Sequence, residues 1–332
     1  SSAMLGSDSQ KDQILVLHDG DLAQTVRMLA PARRIRDHHR KARITLLCGE
    51  DFESLLKHCP YFDSVEPTLH QAAGRNFLDR VKAARNQRFA AIYDLGAGPA
   101  AGKIKRAARF ARSKWIDAAP SAKTDGHPLD LYAAMLAAAG LGGPASVQLG
   151  AGDAPSVDWV DFVAKRSRTL DPAYFGLQGR FALFAPAGDD SPPAQRWPKE
   201  RWASLAHALL EQGLEPVVVG GPSTRELGRY VAHVVPGARD LTGRANLVQL
   251  AGLGRNAAGA FGEDVPLLHL IVAAGAPAVL FHPGDSAPVD RAPRGPEPTV
   301  LMHAPTLAQI SAPEAVQALR CAGGFDHGSA AA

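Results

Sequence analysis

Asp21, Asp264, His269 and the basic set Lys103, Lys105, Arg106, Arg109 and Arg112 are the side chains whose positions along the chain suit chemistry. Asp21 follows the apolar run at 13 to 17 and the tight His18-Asp19-Gly20, and precedes a segment with apolar residues at Leu22, Val26, Leu29 and Ala30. It therefore stands where a strand gives way to a helix. An aspartate there caps the helix through backbone N–H groups, its more common use, or acts as a carboxylate free to take a proton from a hydroxyl. Asp264, Val265 and Pro266 open the helix that carries His269. Pro266 suits a first helical turn, Asp264 suits the cap, and the N–H groups of such an end attract phosphate. A lone helical histidine is more often a satisfied core residue than a ligand, so His269 alone says little. The basic set follows the glycine turn at 96 to 102 and faces either an acidic ligand or water. That turn is no phosphate loop, because Ala97 holds the position of the required first glycine and Lys103 is followed by Ile104. It is also a poor dinucleotide fingerprint, with three residues between its last two glycines and Pro99 inside the turn.

These residues need a scaffold, and the stretch from 181 to 221 defines it. It reads FALFAPAGDDSPPAQRWPKERWASLAHALLEQGLEPVVVGG, two apolar runs separated by a polar loop and a helix with apolar positions at Trp202, Leu205, Ala206, Leu209 and Leu210. Apolar runs of this length suit strands buried on both faces, so the unit is βαβ in a parallel sheet. Ligands of such sheets sit outside the carboxyl ends of the strands, which makes 186 to 199 the first loop to search. Before it, strands are expected at 13–17, 42–48 and 89–95, with helices at 52–58, 74–87 and 130–143. The passage from about 144 to 179 has scattered Pro and Gly around a helix at 156–168. After it, a short strand, a helix, strand AAGAF, a helix and strand APAVLF alternate strictly, and Ser223 or Thr224 is placed to start the helix that follows VVVGG.

The chain has 332 residues, 46% hydrophobic and 21% charged, which supports two soluble domains. No run approaches the roughly 20 apolar residues of a membrane span, and the N-terminal residues lack signal-peptide features. The three cysteines, Cys48, Cys59 and Cys321, are too few and wrongly spaced for a disulfide framework or a metal site, which fits a reducing cytoplasm. Residues 1–150 carry 21 Lys and Arg against 15 Asp and Glu, and the remainder 15 against 18, so the net +3 divides into +6 and −3. A basic first half fits either an anionic partner or a solvated surface.

In this order the segments resemble glycosyltransferase family 9, the bacterial heptosyltransferases. The resemblance lies in the Gly20-Asp21 turn, in Arg196-Trp197-Pro198-Lys199-Glu200-Arg201-Trp202 against the family's KRWPxxxW, in Val219-Gly220-Gly221-Pro222 with Glu226 and Leu241-Thr242-Gly243-Arg244, and in Gly262-Glu263-Asp264 with His269-Leu270 against GxDSGPxHL. It implies an α/β, GT-B type fold of two Rossmann-like doubly wound domains facing each other across a cleft. An acceptor-binding domain would span 11–150, an interdomain segment 151–179 and a nucleotide-sugar domain 180–322. It further implies an inverting, metal-independent transfer of a heptose-like sugar from a nucleotide-diphosphate donor to an acidic glycolipid or other acceptor. No cofactor, no nucleic acid and at most peripheral contact with the inner face of the inner membrane are expected. By position, the resemblance makes Asp21 the general base and Gln195, Arg196, Gly221, Glu226, Arg244, Asp264, Val265 and His269 the donor-binding residues. Lys103 and Arg106 fall on the acceptor side.

Among the places that depart from the family pattern, two lie on the donor side. Gln195 stands where the family has a lysine that contacts the donor's phosphates, and Val265-Pro266 replaces a Ser-Gly pair. Proline has no N–H to offer a diphosphate and fixes its own φ. These departures support a second reading, a member that kept the fold and works as a binding or scaffolding protein. A third, an NAD-dependent oxidoreductase, rests only on the glycines at 96 to 102.

Overall fold

The computed structural model describes residues 12–70, 89–110, 112–117, 126–141 and 154–326. The helix expected at 74–87, the last two residues of the helix expected at 130–143 and the side chain of Arg109 lie outside what is described. The chain divides into two compact units. One comprises Ser1–Gly20, Pro31–Thr124 and Leu131–Ser146, the other Asp21–Ala30, Asp125–Asp130 and Val147–Ala332.

The first unit contains a five-stranded parallel sheet. Its strands are β1 (Gln13–His18), β2 (Arg43–Cys48), β3 (Ser64–Glu66), β4 (Phe89–Asp94) and β5 (Lys114–Asp117), in the order β3-β2-β1-β4-β5. Between β1 and β2 runs α1 (Leu22–His38), between β2 and β3 the short α2 (Glu53–Leu56), and between β4 and β5 α3 (Ala101–Phe110); α4 (Pro128–Ala138) follows. The central strands are legible as apolar runs because both faces are covered: Ile14, Val16, Leu17, Ile44 and Leu46 are all buried. By contrast β3 and β5 are three and four residues long and half exposed, so no apolar run marks them.

The second unit contains a six-stranded parallel sheet. Its strands are β6 (Phe181–Ala185), β7 (Glu215–Val218), β8 (Arg239–Asp240), β9 (Gly259–Glu263), β10 (Ala278–Pro283) and β11 (Thr299–Ala304), ordered β11-β10-β9-β6-β7-β8. The helices are α5 (Val160–Ala164), α6 (Lys199–Glu211), α7 (Arg225–Val234), α8 (Leu247–Asn256), α9 (Pro266–Ala274) and α10 (Ala312–Cys321). The strand order reverses between β6 and β9, the place where open α/β sheets hold ligands. An aromatic cluster lies beneath the loop after β6. The Trp197 ring is 4.3 Å from that of Phe281 and 4.9 Å from that of Trp202, which in turn is 5.0 Å from Phe184. Each such pair adds about 0.5–1.5 kcal/mol beyond the area it buries. Trp197 also donates its indole N–H to the Ile310 carbonyl at 3.0 Å. The tryptophans of the RWPKERW stretch are therefore core residues that anchor the loop.

At two helix starts the expected side chain does not cap. The N-cap of α9 is Val265, in extended conformation and without a side-chain bond, so Asp264 does not cap it. At α7 the N-cap position falls on Thr224, as expected, but its side chain makes no capping bond. Residues Pro222–Thr224 form a 3-10 turn instead, and the Thr224 hydroxyl donates to the Gly221 carbonyl at 2.9 Å.

Candidate functional site

Three loops at the carboxyl edge of the second sheet are laced together by backbone bonds. In the loop after β6, the Asp189 N–H donates to the Ser223 carbonyl of the loop after β7 at 2.8 Å. From the loop after β8, the Gly243 N–H donates to the Gly220 carbonyl, also at 2.8 Å. Gly188 permits this approach, since a Cβ there would lie 2.1 Å from the Ser223 Oγ. Gly220 has φ +147°, a conformation suited to glycine, and a Cβ would lie 2.2 Å from the Thr224 Oγ1.

The first two of these loops enclose a pocket of about 500 Å3. Its polar wall consists of Asp189, Arg196, Lys199 and Glu226, and Leu227, Tyr230 and the buried Trp197 supply apolar surface. Arg196 Nη1 lies 3.4 Å from Asp189 Oδ1, and the Lys199 ammonium sits 4.7 Å from the centre of the Tyr230 ring. Two cations thus share a pocket with two carboxylates and an aromatic face. Such a wall suits a ligand that carries both an anionic group and hydroxyls.

Beside this pocket Glu263, the last residue of β9, is only 2% exposed. Its Oε2 accepts the Ala187 N–H and its Oε1 the Trp197 N–H. Burial pushes its carboxyl up to about 7, against the opposing pull of those two N–H groups and of Arg196. His269, buried on α9, is pushed down to about 3 by burial, and the charges of Arg27 and His127 add to this, so it is neutral at physiological pH.

Asp21 is exposed at the start of α1, where it forms a reciprocal cap with Gln24. The first turns of α1 belong to the second unit, in which Arg27 Nη2 lies 3.5 Å from the Arg291 carbonyl. The Arg291 side chain in turn stands 3.8 Å from Asp264 Oδ2. Arg294 pairs with Asp130 at 2.5 Å, and His127 Nε2 meets the Ala292 carbonyl at 2.8 Å, which ties down the loop after β10.

Of the residues given a catalytic or binding role from the sequence, only Arg196 and Glu226 line the pocket. Gln195 is exposed at the end of a 3-10 turn (Pro193–Gln195) and is not among the lining residues. Gly221 and Arg244 are exposed on the neighbouring laced loops, while Asp264 and Val265 lead into α9. Lys103 and Arg106 are exposed on α3 in the first unit. Sequence reasoning gave no role to Asp189 or Lys199, although both lie in the loop at 186–199 marked for search, nor to Glu263 within Gly262-Glu263-Asp264, and it passed over Tyr230. Tyr230 had a signal, because it follows Glu226 by one helical turn and shares its face. Lys199 had a weaker one, as a cation in the first turn of a helix opening beside the loop.

Paired doubly wound parallel sheets with a polar pocket at the carboxyl edge of the second define the class: this is the α/β fold of the GT-B glycosyltransferases. Residues 151–314 match the model of glycosyltransferase family 9 (heptosyltransferase). The segment that holds the pocket is thus similar to that family of heptosyltransferases. Three of the solved structures that share the fold are the following. A glycosyl transferase family 9 protein of Veillonella parvula is 16% identical with a TM-score of 0.75, over 95% of this chain and 98% of its own. The ADP-heptose lps heptosyltransferase II of E. coli is 18% identical with a TM-score of 0.68, over 93% and 98%. The E. coli heptosyltransferase WaaC with ADP is 15% identical with a TM-score of 0.70, over 92% and 98%. No curated protein matches the sequence. Among the described residues no helix is long and apolar enough to cross a membrane, and no three His, Cys, Asp or Glu side chains converge to hold a metal ion.

Proposed function

We propose that the protein is an inverting, metal-independent transferase. It moves a heptose-like sugar from a nucleotide-diphosphate donor to a hydroxyl of a lipopolysaccharide-type, other cell-surface or protein acceptor. The observation that carries this reading is the single pocket in which Arg196, Lys199 and Glu226 meet, inside the segment that matches the family. In the reaction the acceptor oxygen attacks the anomeric carbon while the bond from that carbon to the diphosphate oxygen breaks. The hydroxyl proton passes to the Asp21 carboxylate, and the nucleoside diphosphate departs with the electron pair. Attack opposite the leaving group inverts the anomeric centre. Arg196 and Lys199 offset the charge that grows on the diphosphate, and Glu226 accepts hydrogen bonds from donor hydroxyls. Gly221, Arg244, Asp264, Val265 and His269 complete the donor side. Lys103 and Arg106 meet an acidic acceptor, in a basic first half suited to the inner face of a membrane.

The test is calorimetry followed by transfer. The E. coli WaaC structures hold ADP and ADP-2-deoxy-2-fluoro heptose, which makes ADP the first nucleotide to try, with UDP as comparison. Saturable ADP binding, and transfer from ADP-heptose that persists in EDTA and inverts the anomeric signal by NMR, support the proposal. Pro266, which offers no N–H at the start of α9, and the outward-lying Gln195 favour the scaffolding alternative. Absence of any nucleotide binding would decide for that alternative.

A further inference from the structure

One carboxylate holds both ends of the loop after β6. Ala187 and Trp197 are buried, so their N–H groups need acceptors inside the protein, and each Glu263 oxygen serves one of them. The ionised carboxyl offers two full acceptors here, whereas a neutral acid keeps one carbonyl oxygen and a weaker hydroxyl acceptor. The remaining β9 residues, Gly259 to Phe261 and Gly262, are small or apolar and buried. An ionisable group at the inner end of such a strand carries a desolvation cost that an apolar residue would avoid.

We propose that Glu263 is a positioning residue for the donor pocket: its carboxylate clamps residues 187 and 197 to the end of β9 and so sets Arg196 and Lys199 at the pocket wall. The proposal rests on reading that pocket as the donor site. Arg196 directly follows the clamped segment's outer arc and Lys199 lies two residues beyond Trp197, so release of the Trp197 N–H moves both cations together. The charged and titratable groups around the clamp are Arg196 with its partner Asp189 on the loop, Asp264 beside Glu263, His269 on α9 and His282 near the end of β10. His269 is neutral throughout the range that matters, and His282 is lowered by burial and by Arg291. The carboxyl itself, raised to about 7, is the group that changes state near neutrality.

The experiment is hydrogen exchange of peptides spanning 186–198 in the full-length protein at pH 8, together with ADP calorimetry at the same pH. The clamp predicts that Glu263→Gln, which keeps only one acceptor oxygen, lowers both loop protection and ADP affinity about tenfold, the scale of losing one hydrogen bond to a charged group. Exchange of β6 and β7 is unchanged in that variant. A Glu263→Gln protein with wild-type protection and affinity overturns the proposal. If Glu263→Gln does not fold, the same two measurements on Glu263→Asp, whose carboxylate is one methylene shorter, decide, and wild-type protection there overturns the proposal. If ADP fails to bind the wild type, the donor reading falls, and loop exchange alone then decides whether Glu263 clamps.

Discussion

Asp21 Oδ1 accepts the Gln24 N–H at 2.8 Å, and Gln24 Oε1 accepts the Asp21 N–H at 2.9 Å. Each residue thus satisfies the other's backbone at the start of α1, in the reciprocal pattern of a capping box. The cap occupies one carboxylate oxygen of an exposed residue, so capping and proton abstraction are compatible in the same side chain.

Substitution separates the two roles. Asp21→Ala removes cap and base together and is expected to cost about 1 kcal/mol of stability as well as transfer activity. Asp21→Ser keeps a capping oxygen, so its thermal midpoint should stay near wild type. Its transfer rate should still fall by roughly 10²–10⁴, the usual worth of a positioned base. A serine variant that transfers sugar normally would reduce Asp21 to a cap.

Arg196 and Gln195 are neighbours with different surroundings. Arg196 lines the pocket, whereas Gln195 is exposed outside its lining. Arg196→Ala is expected to weaken ADP binding about tenfold or more, as for a lost charge-assisted hydrogen bond. Gln195→Lys, which restores the family's residue type, should change affinity by less than about threefold, since an exposed charge in water gains little. Calorimetry on the two variants side by side checks the contrast, and a tenfold gain from Gln195→Lys would show that its loop turns inward when donor binds.

Two buried groups give stability opposite dependences on pH. His269 titrates at about 3 in the folded chain against an ordinary 6.5, so the unfolded chain binds the extra proton between those values and stability falls on acidification. Glu263 titrates at about 7 against an ordinary 4.5, so the folded chain binds the extra proton and stability rises on acidification through that window. Between pH 7 and 4 each effect amounts to about 3 kcal/mol, and they nearly cancel. Denaturant unfolding at both pH values should show Glu263→Gln losing about 3 kcal/mol relative to wild type on acidification, and His269→Gln gaining about as much. Parallel pH profiles for all three proteins would refute both assignments.

Buried strands were legible because their pattern is local. Strands β1, β2, β4, β6, β9 and β10 are apolar on both faces, and the helix between β6 and β7 repeats its apolar residues every three or four positions. Strand β11 is half exposed along most of its length and writes no clear pattern, whereas the two-residue β8 falls within the short strand expected there. The site was legible only in part. Arg196 and Glu226 were marked by family-like stretches, but their joining in one pocket with Asp189 and Tyr230 needed two strand-end loops to be laced together. Asp264 was expected to cap α9, yet the backbone places Val265 at the cap, one residue later than the sequence indicates.

From the order of its residues alone this chain specifies alternating strands and helices, a carboxylate at the first strand's end and an arginine-tryptophan loop beside a helix start. These depend on neighbours a few positions apart, which composition and period reveal. Folding alone decided that Glu263 would receive the N–H of Trp197 across a sequence separation of 66 residues. That pairing exists because β9 lies beside β6 in the sheet, a fact of strand order that no local pattern encodes.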